Sequence, residues 1–305
     1  MPTPLRAHRS RVARNNPQQS RRLGALALQA LIAEAELTPK PGLVDRRGSG
    51  AHSDLSLDLM RQSARVLEPF FADMASAAEG RVPDRDLREE LAAIGRDAER
   101  AMYKATEGAN SHKGAIWILG LLVAAAAQRD DLNAKEIAAA AGAIARLPDR
   151  ACLNIVTHGD IVGNRYGVAG ARGEACQGFP HVVRFGLPTL RKKRKAGFRE
   201  EVCRLDALLA IMSRLDDTCL LYRGGIEALN VAKAQARAVL LAGGYGSSQG
   251  RIEAGDLDRE LSARQLSPGG SADLLAATIF LDAVERRQSE ISSDESKWEG
   301  TDGKA

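Results

Sequence analysis

The chain predicts an all-α fold: one bundle-like domain of about ten helices, without a Rossmann or P-loop unit. Three observations carry this. Alanine and leucine are abundant while β-branched residues are sparse and aromatics make up only 4 % of the chain, a composition that favours helix over sheet. Apolar residues recur at three- and four-residue spacing in segment after segment. And Ala115 to Ala127 is apolar or glycine throughout, too short to span a bilayer and so best read as a buried central helix. A length of 305 residues suits one large domain, and no long linker or repeat demands two.

The elements follow in order. Residues 1–20 are rich in Arg, Asn, Gln and Ser and read as a disordered tail, leaving 21–287 as the helical domain and 288–305 as a second polar tail. Leu23, Leu26, Ala27, Ala30, Leu31 and Ala35 place the first helix over Arg22 to Leu37, stopped by Pro39 and Pro41. A second helix runs from about Leu55, capped by Asp54, to Ala78, with Pro69 marking a kink or a break. A third covers Asp86 to Thr106, with Leu87, Leu91, Ile94, Ala98 and Met102 on one face. After the central helix, ended by Asp130 and Asp131, Asn133 caps a helix from Ala134 to Ala145. Cys152 to Asn164 reads as a short helix, and 165–180 as a glycine-rich loop. The basic run Arg191 to Lys195 reads as a solvated face. A helix over Glu200 to Leu221 is closed by Tyr222-Arg223-Gly224-Gly225. Ile226 to Leu241 forms another, ended by Gly243 and Gly244. Asp256 starts a short helix, and the last runs from about Asp273 to Val284.

Charge and cysteine content narrow the function. A net charge of +4 is mildly basic, and with few aromatics for base stacking and no long basic stripe it does not mark a nucleic-acid binder. Cys152, Cys176, Cys203 and Cys219 have no metal-knuckle or redox spacing and read as reduced thiols. No apolar segment precedes residue 23 and none spans a membrane, so a cytoplasmic protein is expected.

The chemistry gathers in five polar loops, at 42–54, 107–114, 158–174, 216–225 and 267–273. Each carries Gly with Asp, Arg or Lys, and three carry His. In 107–114, Asn110 or Ser111 caps the central helix, whose first-turn N–H groups, beside His112 and Lys113, make a seat for phosphate. The bland alternative is an ordinary capped connection with a solvated Lys. If the loops converge, Lys113, Arg172 and Arg223 can neutralise a polyphosphate, Glu174 can hold Arg172 or a metal, and Asp45, Asp54, Asp216, Asp217 and Asp273 can hold Mg²⁺ through phosphate oxygens or water. That points to an enzyme acting on phosphorylated substrates. A His/Asp metal-dependent phosphohydrolase and a helical scaffold with scattered loops are the alternatives.

At these loops the sequence resembles the triphosphoribosyl-dephospho-CoA synthase family. The matching segments are PGLVDRRGSGAHSD at 41–54, GANSHKG at 108–114, THG at 157–159, GVAGARGEACQGFP at 167–180 and SPGGSADLLA at 267–276, within a resemblance spanning about residues 23–285. Where the family often has Asp-Thr-Asn, this chain has Asp217-Thr218-Cys219. The resemblance implies an all-helical enzyme that joins ATP to the ribose 2′-hydroxyl of 3′-dephospho-CoA and releases adenine. Its product would pass to a phosphoribosyl-dephospho-CoA transferase that loads an acyl carrier protein. The DRRGSG form at 45–50 looks more like the malonate decarboxylase-associated branch than the citrate lyase-associated one. A homodimer is compatible with it.

Breaking an N-glycosidic bond builds oxocarbenium-like charge, so the reaction needs a carboxylate near C1′, a base for the hydroxyl and an acid for the departing adenine. Asp54 or His112 is the expected base, with Asp45 beside them as an orienting carboxylate. Asp216, Asp217 and Asp273 are the expected Mg²⁺ ligands. His52, Asn110, Lys113, Gly114, Arg172, Glu174, Arg223, Ser267, Gly269, Gly270 and Ser271 are expected to line the nucleotide site, with Lys113 and Arg172 on the phosphates.

Overall fold

A computed structural model describes residues 16–129, 131–151 and 157–299. Asp130, the start of the helix expected from Cys152, and the ends of both expected tails lie outside the described residues. Twelve α-helices occur among the described residues: α1 (Pro17–Ala35), α2 (Leu57–Ala78), α3 (Arg85–Ala105), α4 (Lys113–Gln128), α5 (Ala134–Ala145), α6 (His158–Tyr166), α7 (Gly170–Cys176), α8 (Leu187–Lys195), α9 (Glu200–Met212), α10 (Thr218–Leu241), α11 (Ser248–Ala263) and α12 (Gly269–Glu299). A π-helical turn, Val182–Gly186, leads into α8, and a 3₁₀ turn, Gly244–Gly246, precedes α11. No strand occurs among the described residues; only an isolated bridge joins Asp45 to Gly48. No helix among them is long and apolar enough to cross a membrane.

The expected all-α architecture is therefore observed, and α4 is its axis. Every residue of α4 from Ala115 to Ala127 except Trp117 is buried, and α1, α2, α3, α5, α7 and α12 all pack on it. Each buried Leu or Ile there contributes ~1.5–3 kcal/mol, which makes this helix the main apolar anchor of the bundle. Its low polarity leaves the chemistry to its first turn, and that turn is where the functional loops gather.

Local chemistry sets most helix starts. Asn133 and Glu136 form a reciprocal capping box on α5, as do Thr157 and Asp160 on α6. Several boundaries differ from the sequence reading. α1 begins at Pro17, capped by Asn16, within the stretch expected to be tail, and α12 continues past the expected limit of 287. α2 is capped by Ser56 rather than Asp54, because the helix starts at Leu57 and only Ser56 reaches the Leu59 N–H (3.3 Å). Pro69 lies inside α2 without ending it. The expected helix over 200–221 is two, α9 and α10, parted at 213–217, where Asp217 turns to cap α10. The glycine-rich 165–180 stretch contains α7, and the expected short helix from Asp256 is the longer α11, capped by Ser247. The basic run is not merely solvated. Lys193 pairs with the buried Asp206 (2.6 Å), and Arg194 with Glu200 (2.8 Å) and Asp282 (3.0 Å), fastening α8 to α9 and α12.

Candidate active site

The site is built where helix N-termini meet. Asp217, the N-cap of α10, is buried and accepts from four donors: the Cys219 N–H (2.9 Å), the Gly270 N–H (3.3 Å), and the N–H and Oγ–H of Ser271 (2.8 and 2.9 Å). The last three belong to the first turn of α12, so one carboxylate ties the N-termini of α10 and α12 together. Burial nevertheless raises the Asp217 pKa, against the pull of these donors.

α4 joins from the other side. Gly114 is its second residue, and a β-carbon placed there would lie 2.0 Å from Asp273 Oδ2. Only glycine leaves room for that carboxyl to reach the α4 N-terminus, where the Ala115 N–H donates to it. Asp273 is partly buried. Its pKa stands well above the usual carboxylate range, first through desolvation and then through Glu34 and Asp217. The N-cap position of α4 is His112, which makes no side-chain cap, so neither Asn110 nor Ser111 is the capping residue; the Asn110 side chain does accept from the Lys113 N–H (3.2 Å). The first turn of α4 is thus partly taken up by the chain's own side chains. The Lys113 and Ala115 N–H groups are taken by side chains, and the Ile116 N–H bonds the His112 carbonyl (2.8 Å).

Beneath this turn lies a buried polar layer. Ser111 Oγ donates to Ser63 Oγ (2.7 Å), which meets His112 Nδ1 (2.8 Å). The opposite ring nitrogen, Nε2, is buried without a hydrogen-bond partner. Desolvation, and then Lys40, depress the His112 pKa to about 3, so the ring is neutral at physiological pH. Ser63 and the Lys40–Glu34 pair were not singled out from sequence. The pair is almost fully enclosed (2.6 Å; 1 % and 5 % exposed). A lysine between Pro39 and Pro41 is the signal that could have found it.

Near the rim, Asp160 lies within the electrostatic reach of Arg172 and Lys113. The carboxyl of Asp160 is held below its ordinary pKa mainly by hydrogen bonds from Thr157, and the two cations add to this. Lys113 also pairs with Glu99 (3.2 Å). α7, which carries Arg172, is seated by the Trp117 indole N–H on the Ala171 carbonyl (3.4 Å). Its first residue, Gly170, lies over Thr218 at the start of α10. A second cluster adjoins α12: His52 Nε2 meets the buried Ser267 Oγ (2.9 Å). Arg223 spans the same loops, donating to the carbonyls of Gln265 (3.0 Å) and Ala51 (3.3 Å) and reaching His52 Nδ1 (3.4 Å). Burial, and then Arg223, lower the His52 pKa.

Some predicted residues have other partners. Asp45 is buried, accepts from the Lys40 N–H (2.9 Å) and holds Arg47, which also bridges to Asp258 (2.7 Å). Glu174 grips His181 through the His181 N–H (2.8 Å) and Nδ1 (2.7 Å), not Arg172. Asp54 is 60 % exposed, with one long contact to His52 Nδ1 (3.4 Å). Gly269 packs against Cys219 Sγ, so the cysteine at the family's Asn position fills a packing role. The expected three-aspartate metal site does not form. Asp216 pairs with Lys233 (2.7 Å) on the surface, while the oxygens of Asp217 are committed to backbone and serine donors. Among the described residues no group of three or more His, Cys, Asp or Glu is placed to hold a metal ion.

Comparison with known proteins decides the family. A model of the ATP:dephospho-CoA triphosphoribosyl transferase family matches residues 20–292. The chain belongs to that family. Curated relatives are similar over nearly their whole length. A protein of Stutzerimonas stutzeri (strain A1501) is 56 % identical over 276 residues, covering 90 % of this chain and 95 % of its own. One from Pseudomonas aeruginosa (strain UCBPP-PA14) is 57 % identical over 265 residues, covering 86 % and 90 %. One from Azotobacter vinelandii is 53 % identical over 272 residues, covering 88 % and 93 %. Each is named a probable 2-(5''-triphosphoribosyl)-3'-dephosphocoenzyme-A synthase. No solved structure matches the chain. As a member of this transferase family, the protein has its helix-junction site within the matched region.

Proposed function

We propose that this protein joins ATP to 3′-dephospho-CoA, making 2′-(5″-triphosphoribosyl)-3′-dephospho-CoA and adenine. Besides family membership, one observation carries the reading: two carboxyls, Asp217 and Asp273, are fixed where the N-termini of α4, α10 and α12 meet, with Lys113 and Arg172 at the rim.

In this reaction the bond from C1″ to adenine N9 breaks and a bond from C1″ to the ribose 2′-oxygen forms. The hydroxyl proton is lost and adenine gains one, so no net proton is consumed. Lys113 and Arg172 grip the triphosphate, which stays intact; their work is positioning. Asp273 is aimed by the α4 N-terminus and has the raised proton affinity suited to protonating the leaving base. Asp217 holds α10 and α12 in register as a positioning residue. Of the two expected bases, Asp54 is open to the hydroxyl, whereas His112 is enclosed and bonded to Ser63, which suits it to shaping the turn. Mg²⁺ enters with ATP as the counterion of its phosphates.

The DRRGSG segment at 45–50 favours service to malonate decarboxylase over citrate lyase, with the product handed to a transferase that loads the acyl carrier protein. The test incubates the protein with ATP, Mg²⁺ and dephospho-CoA. Adenine released only when dephospho-CoA is present, without ADP or phosphate, supports the reading. Phosphate or ADP release would replace it with a phosphohydrolase.

A further inference from the structure

His158, the first residue of α6, lies flat against Tyr222 of α10, with ring centroids 3.9 Å apart and planes within 17°. The reaction described above makes no use of this pair. Tyr222 is 49 % exposed, and two other exposed apolar side chains stand nearby in sequence: Ile161 on α6 (45 %) and Ile226 on α10 (53 %). Scattered single apolar side chains on a surface need no explanation, but two rings stacked at the surface form an exposed aromatic platform.

The backbone builds this platform deliberately. The Thr157–Asp160 capping box fixes the start of α6 and so the place of His158. Gly225, at φ 68° and ψ −166°, interrupts α10 between Tyr222 and Ile226, a conformation open only to glycine. Tyr166 at the end of α6 closes on that break, its Oη 3.3 Å from where a Gly225 β-carbon would stand. Beside the stack, Asp160 lies within the electrostatic reach of Arg172 and Lys113, so the rim cations flank the same end of α6.

We propose that the outer face of the His158–Tyr222 stack seats a purine base, whose attached phosphates extend toward Lys113 and Arg172. Aromatic faces hold nucleobases by stacking. This inference rests on the proposed function for the identity of the nucleotide. Both substrates in that reading carry adenine, so the proposed function names the base and the experiment must say whose it is.

The test compares wild type with Tyr222→Ala, His158→Ala and Tyr222→Phe. Adenosine binding is followed by calorimetry, and steady-state kinetics are measured with ATP and dephospho-CoA varied in turn. Tyr222 is half exposed, so thermal unfolding should confirm that its variants fold. Stacking predicts that either alanine change weakens adenosine binding by about tenfold or more, while Tyr222→Phe keeps it. A matching rise in KM with kcat retained identifies the source: a rise for ATP places the departing adenine on the stack, a rise for dephospho-CoA places the acceptor's. Wild-type adenosine affinity and unchanged KM values in Tyr222→Ala would overturn the proposal, as would absence of adenosine binding to the wild type. Wild-type protein that binds adenosine through Tyr222 yet releases no adenine would refute the proposed reaction and leave the base platform standing.

Discussion

Gly114→Ala is the sharpest probe of the helix junction. Alanine normally stabilises a helix by about 1 kcal/mol over glycine. Here the added β-carbon would meet Asp273 Oδ2 at 2.0 Å, a distance no non-bonded carbon–oxygen pair tolerates, with Cγ close behind at 3.1 Å. The carboxyl must swing away from α4 and give up the Ala115 N–H. Losing that hydrogen bond costs ~1–3 kcal/mol and an off-rotamer side chain ~0.5–1.5 kcal/mol. Set against the helix gain, the net is a destabilisation on the order of 1–3 kcal/mol. Gly95→Ala is the control: its nearest new neighbour is Met74 Cε at 3.7 Å, ordinary contact, so that change should stabilise α3 by up to ~1 kcal/mol. Urea unfolding of both variants, with adenine release in parallel, reads the difference. A second arm repeats Gly114→Ala in an Asp273→Ala background, where the penalty should vanish and the helix gain reappear. If Gly114→Ala stabilises the wild-type chain as Gly95→Ala does and leaves adenine release intact, Asp273 does not occupy the α4 N-terminus and the site as described is wrong.

Three further outcomes are expected. Lys113→Ala and Arg172→Ala should each raise the KM for ATP about tenfold, the loss of one charge-assisted contact, with a smaller effect on kcat; an unchanged KM removes that side chain from the phosphate grip. Asp217→Ala strands the donors of Cys219, Gly270 and Ser271 and should cost on the order of 3 kcal/mol, measurable by urea unfolding; a cost below ~1 kcal/mol would mean the α10–α12 junction does not depend on it. His112 binds its proton at about pH 3 when folded and near 6.5 when unfolded, so its contribution is complete above about pH 6.5 and is lost as pH falls toward 3. Between pH 7.5 and 5.5 the wild type should therefore lose ~1.4 kcal/mol more stability than His112→Asn, with His52 acting in the same direction in both; equal losses would show that His112 titrates normally.

The fold was legible where periodicity was long and uninterrupted. α3 is read as Asp86 to Thr106 and observed as Arg85–Ala105, and the buried α4 is evident from composition alone. Boundaries failed where a polar residue had two uses. Asp54 and Ser56 are both good caps, and only the path of the chain selects Ser56. α7 is hidden because its glycines read as loop, although Trp117 and Thr218 receive it as a packed helix. Partner choice was less legible still. Asp216 and Asp217 are adjacent and chemically alike, yet one faces Lys233 at the surface and the other is buried under α12. Glu34 looks like a solvated position on α1 until Lys40 folds back on it, and the His158–Tyr222 stack depends on two helices far apart in sequence. Residue types expose a chemistry; which atoms meet is a property of the packed bundle.

That division explains why the charges are arranged in the reverse of the expected order. Helix N-termini attract anions, and the first turn of α4 looked like a place for phosphate. The bundle instead spends these termini on its own carboxyls, Asp217 on α10 and α12 and Asp273 on α4, and leaves Lys113 and Arg172 at the rim. A phosphoryl-transfer enzyme would gain by pressing its donors onto the phosphates, because charge develops there. In the proposed reaction charge develops at C1″ and on the departing base, while the triphosphate is only cargo. Fixed carboxyls at the junction and cations at the rim fit that demand: grip where the substrate is held, acid and negative charge where the bond breaks.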